Sequence, residues 1–92
     1  MAEENVIYIG QKPTSKYILA VLMQFNNKNA NRVVLKARGK AISKAVDVAQ
    51  IITRRFLKDV KVGSIQIGTD ELQDPSGRKI NISTIAIELV RR

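Results

Sequence analysis

The sequence contains no cysteine and no histidine. The first absence excludes disulfides and thiolate metal sites; the second removes the commonest general base and a common metal ligand. Tryptophan is missing too, and two Tyr with two Phe supply all the aromatic content. That is too little for stacking of unpaired bases to dominate any nucleic-acid binding. No apolar run approaches the roughly 18 residues of a membrane span. The acidic opening Met1-Ala2-Glu3-Glu4 does not read as a signal peptide, so a soluble, intracellular chain is expected. Acidic residues are scarce as well. Eight Asp+Glu stand against sixteen Lys+Arg, a net charge of +8, and that excess points towards polyanions. Ninety-two residues at 45% hydrophobic supply one core and one domain, residues 1–92. A chain of this size buries about 60–65% of its unfolded surface, which leaves no room for a large enclosed active site.

The charge is uneven. Residues 32–61 hold Arg32, Lys36, Arg38, Lys40, Lys44, Arg54, Arg55, Lys58 and Lys61 against Asp47 and Asp59, a net of +7. The first 31 residues add +1, and the last third is balanced. A solvated helix face could carry such charge, but no low-complexity basic tail is present.

Val6 to Ile9 is a β-branched and aromatic run closed by Gly10, which predicts a buried strand. Tyr8 and Phe25 are read as core. Pro13-Thr14-Ser15 opens a helix to about Asn26, with either hydroxyl available as a cap. Ile18, Leu19, Val21, Leu22, Met23 and Phe25 cover more than one of its faces, so the sheet and a neighbouring chain are both expected to cover it. Arg32 to Ala37 is a second strand. A second helix runs from about Lys40 or Ala41 to Phe56, with Ile42, Ala45, Val46, Ala49, Ile52 and Phe56 at the 3/4 spacing of an apolar face. Val60 to Thr69 and Lys79 to Val90 are strands joined through the turn Asp74-Pro75-Ser76-Gly77. In both strands the apolar alternation changes phase, which predicts a bulge or a change of buried face. Between Gly68 and Lys79 only Leu72 is large and apolar, so residues 68–82 should project as a hairpin arm about 23 Å long.

The order β-α-β-α-β-β gives an α+β fold: a two-layer sandwich with two helices on one face of a mixed four-stranded sheet. The loops Gly10-Gln11-Lys12-Pro13 and Ala37-Arg38-Gly39-Lys40 then share one sheet edge beside the two helix N-termini. Free N–H groups and the helix dipole favour anions there, and Lys12, Arg38 and Lys40, with Lys36 and Lys44 nearby, suit backbone phosphate. Arg78 and Lys79 tip an arm of a size to follow a minor groove. Its acidic residues Asp70, Glu71 and Asp74 argue against simple attraction. Tyr17, near Lys12, fits either core packing or a nucleic-acid contact, and Phe56 fits either the core face or an exposed contact.

The stretch Lys36-Ala37-Arg38-Gly39-Lys40-Ala41-Ile42-Ser43-Lys44-Ala45-Val46-Asp47 resembles the Alba (Sac10b) family of archaeal chromatin proteins. The likeness extends to Ile9-Gly10-Gln11-Lys12-Pro13, Arg55-Phe56-Leu57 and Ile82-Ser83-Thr84-Ile85, and covers essentially the whole chain. It implies a homodimer that binds double-stranded DNA with little sequence preference, binds RNA, and bridges or coats duplexes. It assigns nucleic-acid contacts to Lys12, Arg38 and the Arg78 arm, and a dimer–dimer contact to Phe56. Gln11 departs from the pattern, since the family commonly has two adjacent lysines in this loop, one of them an acetylation site. A neutral Gln implies a weaker first loop without that switch, with Lys12 still open to acetylation and Lys16 partly compensating.

The reading is therefore a non-specific duplex-binding, DNA-condensing protein, cytoplasmic and associated with the chromosome. The alternative is an RNA chaperone or ribonucleoprotein subunit. Charge alone does not separate the two, because both partners present phosphates. No enzyme, metal or cofactor is expected: a nuclease needs clustered carboxylates with an oriented base, and Asp70, Glu71 and Asp74 lie on the arm without one.

Overall fold

The computed structural model describes residues 5–92, and the reading of Met1 to Glu4 lies outside them. Strand β1 (Val6–Tyr8), helix α1 (Thr14–Asn26) and strand β2 (Arg32–Arg38) come first. A 3-10 turn (Gly39–Ala41) leads into helix α2 (Ile42–Ile51), which ends in a π turn (Ile52–Phe56). The long strands β3 (Val60–Gln73) and β4 (Lys79–Arg91) complete the chain. The sheet order is β1-β2-β4-β3; β1 and β2 are parallel and the other pairs antiparallel. Both helices pack on one face. Phe25 and Val21 of α1, Val48 and Ile52 of the second helical segment, and Val33, Leu35, Val60 and Leu89 of the sheet are fully buried. The expected two-layer arrangement therefore holds, and among the described residues no helix is long and apolar enough to cross a membrane.

Strands β3 and β4 outrun β2. The β2–β4 ladder stops at Arg38 opposite Thr84, whereas β3–β4 pairing continues from Thr69–Ser83 to Gln73–Lys79. This extension is the arm, and it stretches the molecule to 46 × 26 × 19 Å. At its tip the Asp74 carboxylate accepts bonds from the Ser76 amide and hydroxyl and the Arg78 amide at 3.0, 2.7 and 2.8 Å. The Ser76 hydroxyl and then the Arg78 amide hold that carboxyl below its usual range.

The two changes of phase have different origins. In β3, Gly63 and Ser64 form a bulge between Val62 and Ile65. Glu88 fills it, accepting from the Ser64 amide at 3.1 Å and from the Arg32 guanidinium. A Cβ at Gly63 would lie 2.5 Å from the Glu88 carboxylate, so glycine is what lets it in. Strand β4 has no bulge; Ile85, Ile87 and Leu89 face the helices, while Ile80 and Ile82 face the other way.

Four local expectations need correction. Tyr8 is 64% exposed, not core, because it pairs with Lys36 on the sheet face that no helix covers. No hydroxyl caps α1: Pro13 is the cap residue, and the Lys16 amide bonds its carbonyl at 3.0 Å. The buried stripe is Ala45, Val48 and Ala49 of α2 continued by Ile52 of the π turn, with Val46 at its exposed margin. Finally, the Leu57 amide bonds the Ile52 carbonyl at 2.8 Å across the π turn. Leu57 thus stands over Ile52 against the core, and Phe56 is turned out, 53% exposed.

The far end of the sheet is closed by Arg91. Its guanidinium donates to the Phe25 and Ala30 carbonyls at 2.7 and 3.1 Å and pairs with Asp59 at 2.6 Å, lying over the Phe25 ring. At the Phe25 carbonyl a cation thus meets the last turn of α1, where the helix dipole favours it.

Candidate nucleic-acid interface

Parallel pairing fixes where the two basic loops go. Tyr8 aligns with Lys36, and the Ile9 amide bonds the Lys36 carbonyl at 2.8 Å. The chain therefore leaves β1 at Gly10 and β2 at Arg38 side by side, at the same rim. Gly39 makes the second exit possible. Its φ of +59° lies in the left-handed region, where a side chain is costly, and it turns the strand directly into the second helical segment.

The first loop is held from below. The Tyr17 hydroxyl oxygen accepts from the Gly10 and Lys12 amides at 2.9 and 3.0 Å. Two accepted bonds leave the phenolic proton to donate. Lys44 then reaches across from α2 and donates to the Lys12 carbonyl at 2.6 Å, with its ammonium 5.9 Å from the Tyr17 ring centre. Lys12, Tyr17 and Lys44 form one unit joining the two helix starts. Tyr17 itself is only 8% exposed, so the core reading describes its ring, and its hydroxyl shapes the loop.

Arg38 faces the uncovered side of the sheet, together with Tyr8 and Lys36. With Gln66, Asp70 and Thr84 they line an open basin of about 680 Å³. The Arg38 guanidinium pairs with Asp70 of the arm at 3.2 Å. Lys40, beyond Gly39, is exposed, as is Lys16 on the first turn of α1. Arg78 and Lys79 do not join this cluster: Lys79 stands at the arm tip, five residues along β4 from Thr84, or about 17 Å at strand rise, with Arg78 beyond it in the turn. The arm carboxylates are dispersed as well, Asp70 on Arg38 and Asp74 in the turn. Among the described residues no group of three or more acidic or metal-ligating side chains converges. Tyr17 and Asp70 were both weighed in the sequence, but not for these contacts: the hydroxyl grip on the first loop and the carboxylate on Arg38. Tyr17 left a signal in its place one helical turn into α1 beside the loop; Asp70 left none.

A shaped cationic rim on one edge of a two-layer α+β fold, with a hairpin arm beside it, defines a class of small basic proteins built to meet an extended anion. The Alba family model matches residues 5–69, and the chain belongs to that family. It is 53% identical over 91 residues to the DNA/RNA-binding protein Alba of Picrophilus torridus, covering 99% of this chain and all of that one. To the Alba of Methanococcus maripaludis, also called DNA/RNA-binding, it is 50% identical over 88 residues, 96% of this chain and 99% of the relative. The solved structure of Alba from Thermoplasma volcanium superposes with a TM-score of 0.88 at 52% identity, covering 95% of this chain and 100% of the other. ALBA1 from Trypanosoma brucei shares the fold at 19% identity and a TM-score of 0.71, over 95% of this chain and 68% of the other.

Proposed function

We propose that this chain binds double-stranded DNA with little regard to sequence, as a homodimer that coats, bridges and compacts the duplex, and that it binds RNA through the same rim. The observation that carries this reading is that the basic loops after β1 and β2 leave the sheet at one rim, where Lys44 is tied to the Lys12 carbonyl and Arg38 and Lys40 stand exposed. Relatives named DNA/RNA-binding proteins at about half identity support the choice of partner. Its mechanism is counterion release. A dimer neutralising roughly six to ten phosphates loses about 10³–10⁵ in affinity between about 50 and 200 mM salt. The rim reads backbone, not base edges, because no helix presents side chains to a groove and the cations sit on loops.

A second copy finds its place on the apolar surface left uncovered on the helix side. Ile65 and Ile67 of edge strand β3 are 55% and 83% exposed although their partners Ile87 and Ile85 lie in or against the core. Two-fold pairing there covers what one chain leaves wet. Phe56 supplies the contact between dimers, and Lys12 remains the acetylatable lysine of the first loop. The protein is cytoplasmic and associated with the chromosome.

The test is a gel shift with the Lys12→Ala/Arg38→Ala variant on duplexes of unrelated sequence. Each lost phosphate contact costs about tenfold near 0.1 M salt, so affinity should fall about 100-fold or more, equally for every duplex. Unchanged binding, or loss on some sequences only, refutes the rim. Competition between duplex DNA and structured RNA at fixed salt ranks the two partners.

A further inference from the structure

The arginine at the centre of the proposed interface is already occupied by an anion. Asp70 Oδ2 lies 3.2 Å from Arg38 Nη1, and both side chains are about half exposed, 57% for Arg38 and 50% for Asp70. The sheet register explains the contact. Arg38 is the last residue of β2 and sits opposite Thr84, which in turn sits opposite Gly68. With no side chain at Gly68 to intervene, Asp70, two residues further along the same face, reaches back over it. The other arm carboxylates are placed differently: Glu71 points to the opposite face, and Asp74 is held within the tip turn. Of the four ion pairs among the described residues, only this one links arm to body.

We propose that Asp70 sets the affinity of the rim by competing with phosphate for Arg38, so that binding there is an exchange of one anion for another. The inference rests on the nucleic-acid reading of Arg38 given above. An exposed ion pair is weak, so a phosphate can displace it, yet displacement leaves a carboxylate beside the polyanion and frees the base of the arm. The carboxylate released takes up a cation from solution, which offsets part of the counterion release from the nucleic acid. Asp70 thereby lowers both the affinity and its dependence on salt.

Duplex binding by Asp70→Asn, Glu71→Gln, Arg38→Ala and Arg38→Ala/Asp70→Asn, measured by fluorescence anisotropy across a salt series, tests the exchange. Glu71→Gln removes the same charge from the arm without touching Arg38. Asp70→Asn should tighten binding about three- to fivefold beyond Glu71→Gln, the size of an exposed ion pair, and steepen the salt slope by up to about one. In the Arg38→Ala background that excess should vanish. The exchange is overturned if Asp70→Asn matches Glu71→Gln, or if its excess survives without Arg38. Should Arg38→Ala alone leave affinity intact, the interface reading fails; should it weaken binding while Asp70→Asn does nothing extra, only the exchange fails.

Discussion

At one end of β2, Arg91 spends its guanidinium on the chain itself: two carbonyls, one carboxylate and an aromatic face. At the other end, Arg38 pairs among the described residues with one half-exposed carboxylate and is itself more than half exposed. The same contrast separates Arg32, locked onto Glu88 in the bulge, from Lys40, which makes no hydrogen bond or ion pair among the described residues. Net charge counts all four alike. Only the cations whose donors the fold leaves open can serve a ligand, so the molecule has an anchoring end and a binding end.

Substitutions should separate the two ends. The largest effect belongs to the binding end, where the Lys12→Ala/Arg38→Ala loss in affinity should come with stability within about 0.5 kcal/mol of the parent, as for exposed positions. Arg91→Ala should do the reverse. It removes charge-assisted bonds to the Phe25 carbonyl at the end of α1 and the Ala30 carbonyl in the loop beyond it, from a side chain only 27% exposed, at about 2–3 kcal/mol. A thermal melt should fall by about 10 °C or more, while duplex affinity of the folded protein stays put; a loss of affinity with no change in melting would break the division. Gly63→Ala comes next. Its Cβ would displace the Glu88 carboxylate from the Ser64 amide, for about 1 kcal/mol in denaturant unfolding.

The smallest effect is on pH. The Arg32 side chain, and after it the Ser64 amide, hold Glu88 below the usual carboxylate range. A lowered folded-state value means that its stabilisation is complete above the ordinary carboxylate pKa, about 4.3, and is lost as pH falls through the lowered one. Between about pH 5 and 3 the parent should therefore lose more melting temperature than Glu88→Gln. Parallel loss in both proteins would show that Glu88 is not the titrating anchor.

Much of this was legible in the sequence, for reasons that can be named. The long elements carry clear periods, and parallel β1–β2 pairing forces Gly10 and Arg38 to one rim once the crossover is recognised. The Asp74 turn is local chemistry, readable from four residues. Tyr8 was not legible, because Val6-Ile7-Tyr8-Ile9 is apolar throughout and gives no alternation to assign its faces. Phe56 keeps helical spacing with Ile52, so spacing alone did not choose between core and surface; the i→i+5 bond to Leu57 turns it out. The Arg38–Asp70 pair spans 32 residues and depends on a register that composition does not encode. Arg91 looked like balanced terminal charge for the same reason.

The twin amide grip of the Tyr17 phenol has a kinetic corollary. A loop fastened before any encounter forfeits little backbone freedom when it docks, so the ordering penalty that slows floppy binders is largely avoided. Association can then run close to the rate at which a cationic surface is drawn to a charged rod, and partner lifetime, more than capture speed, is where substitutions around this ring should register.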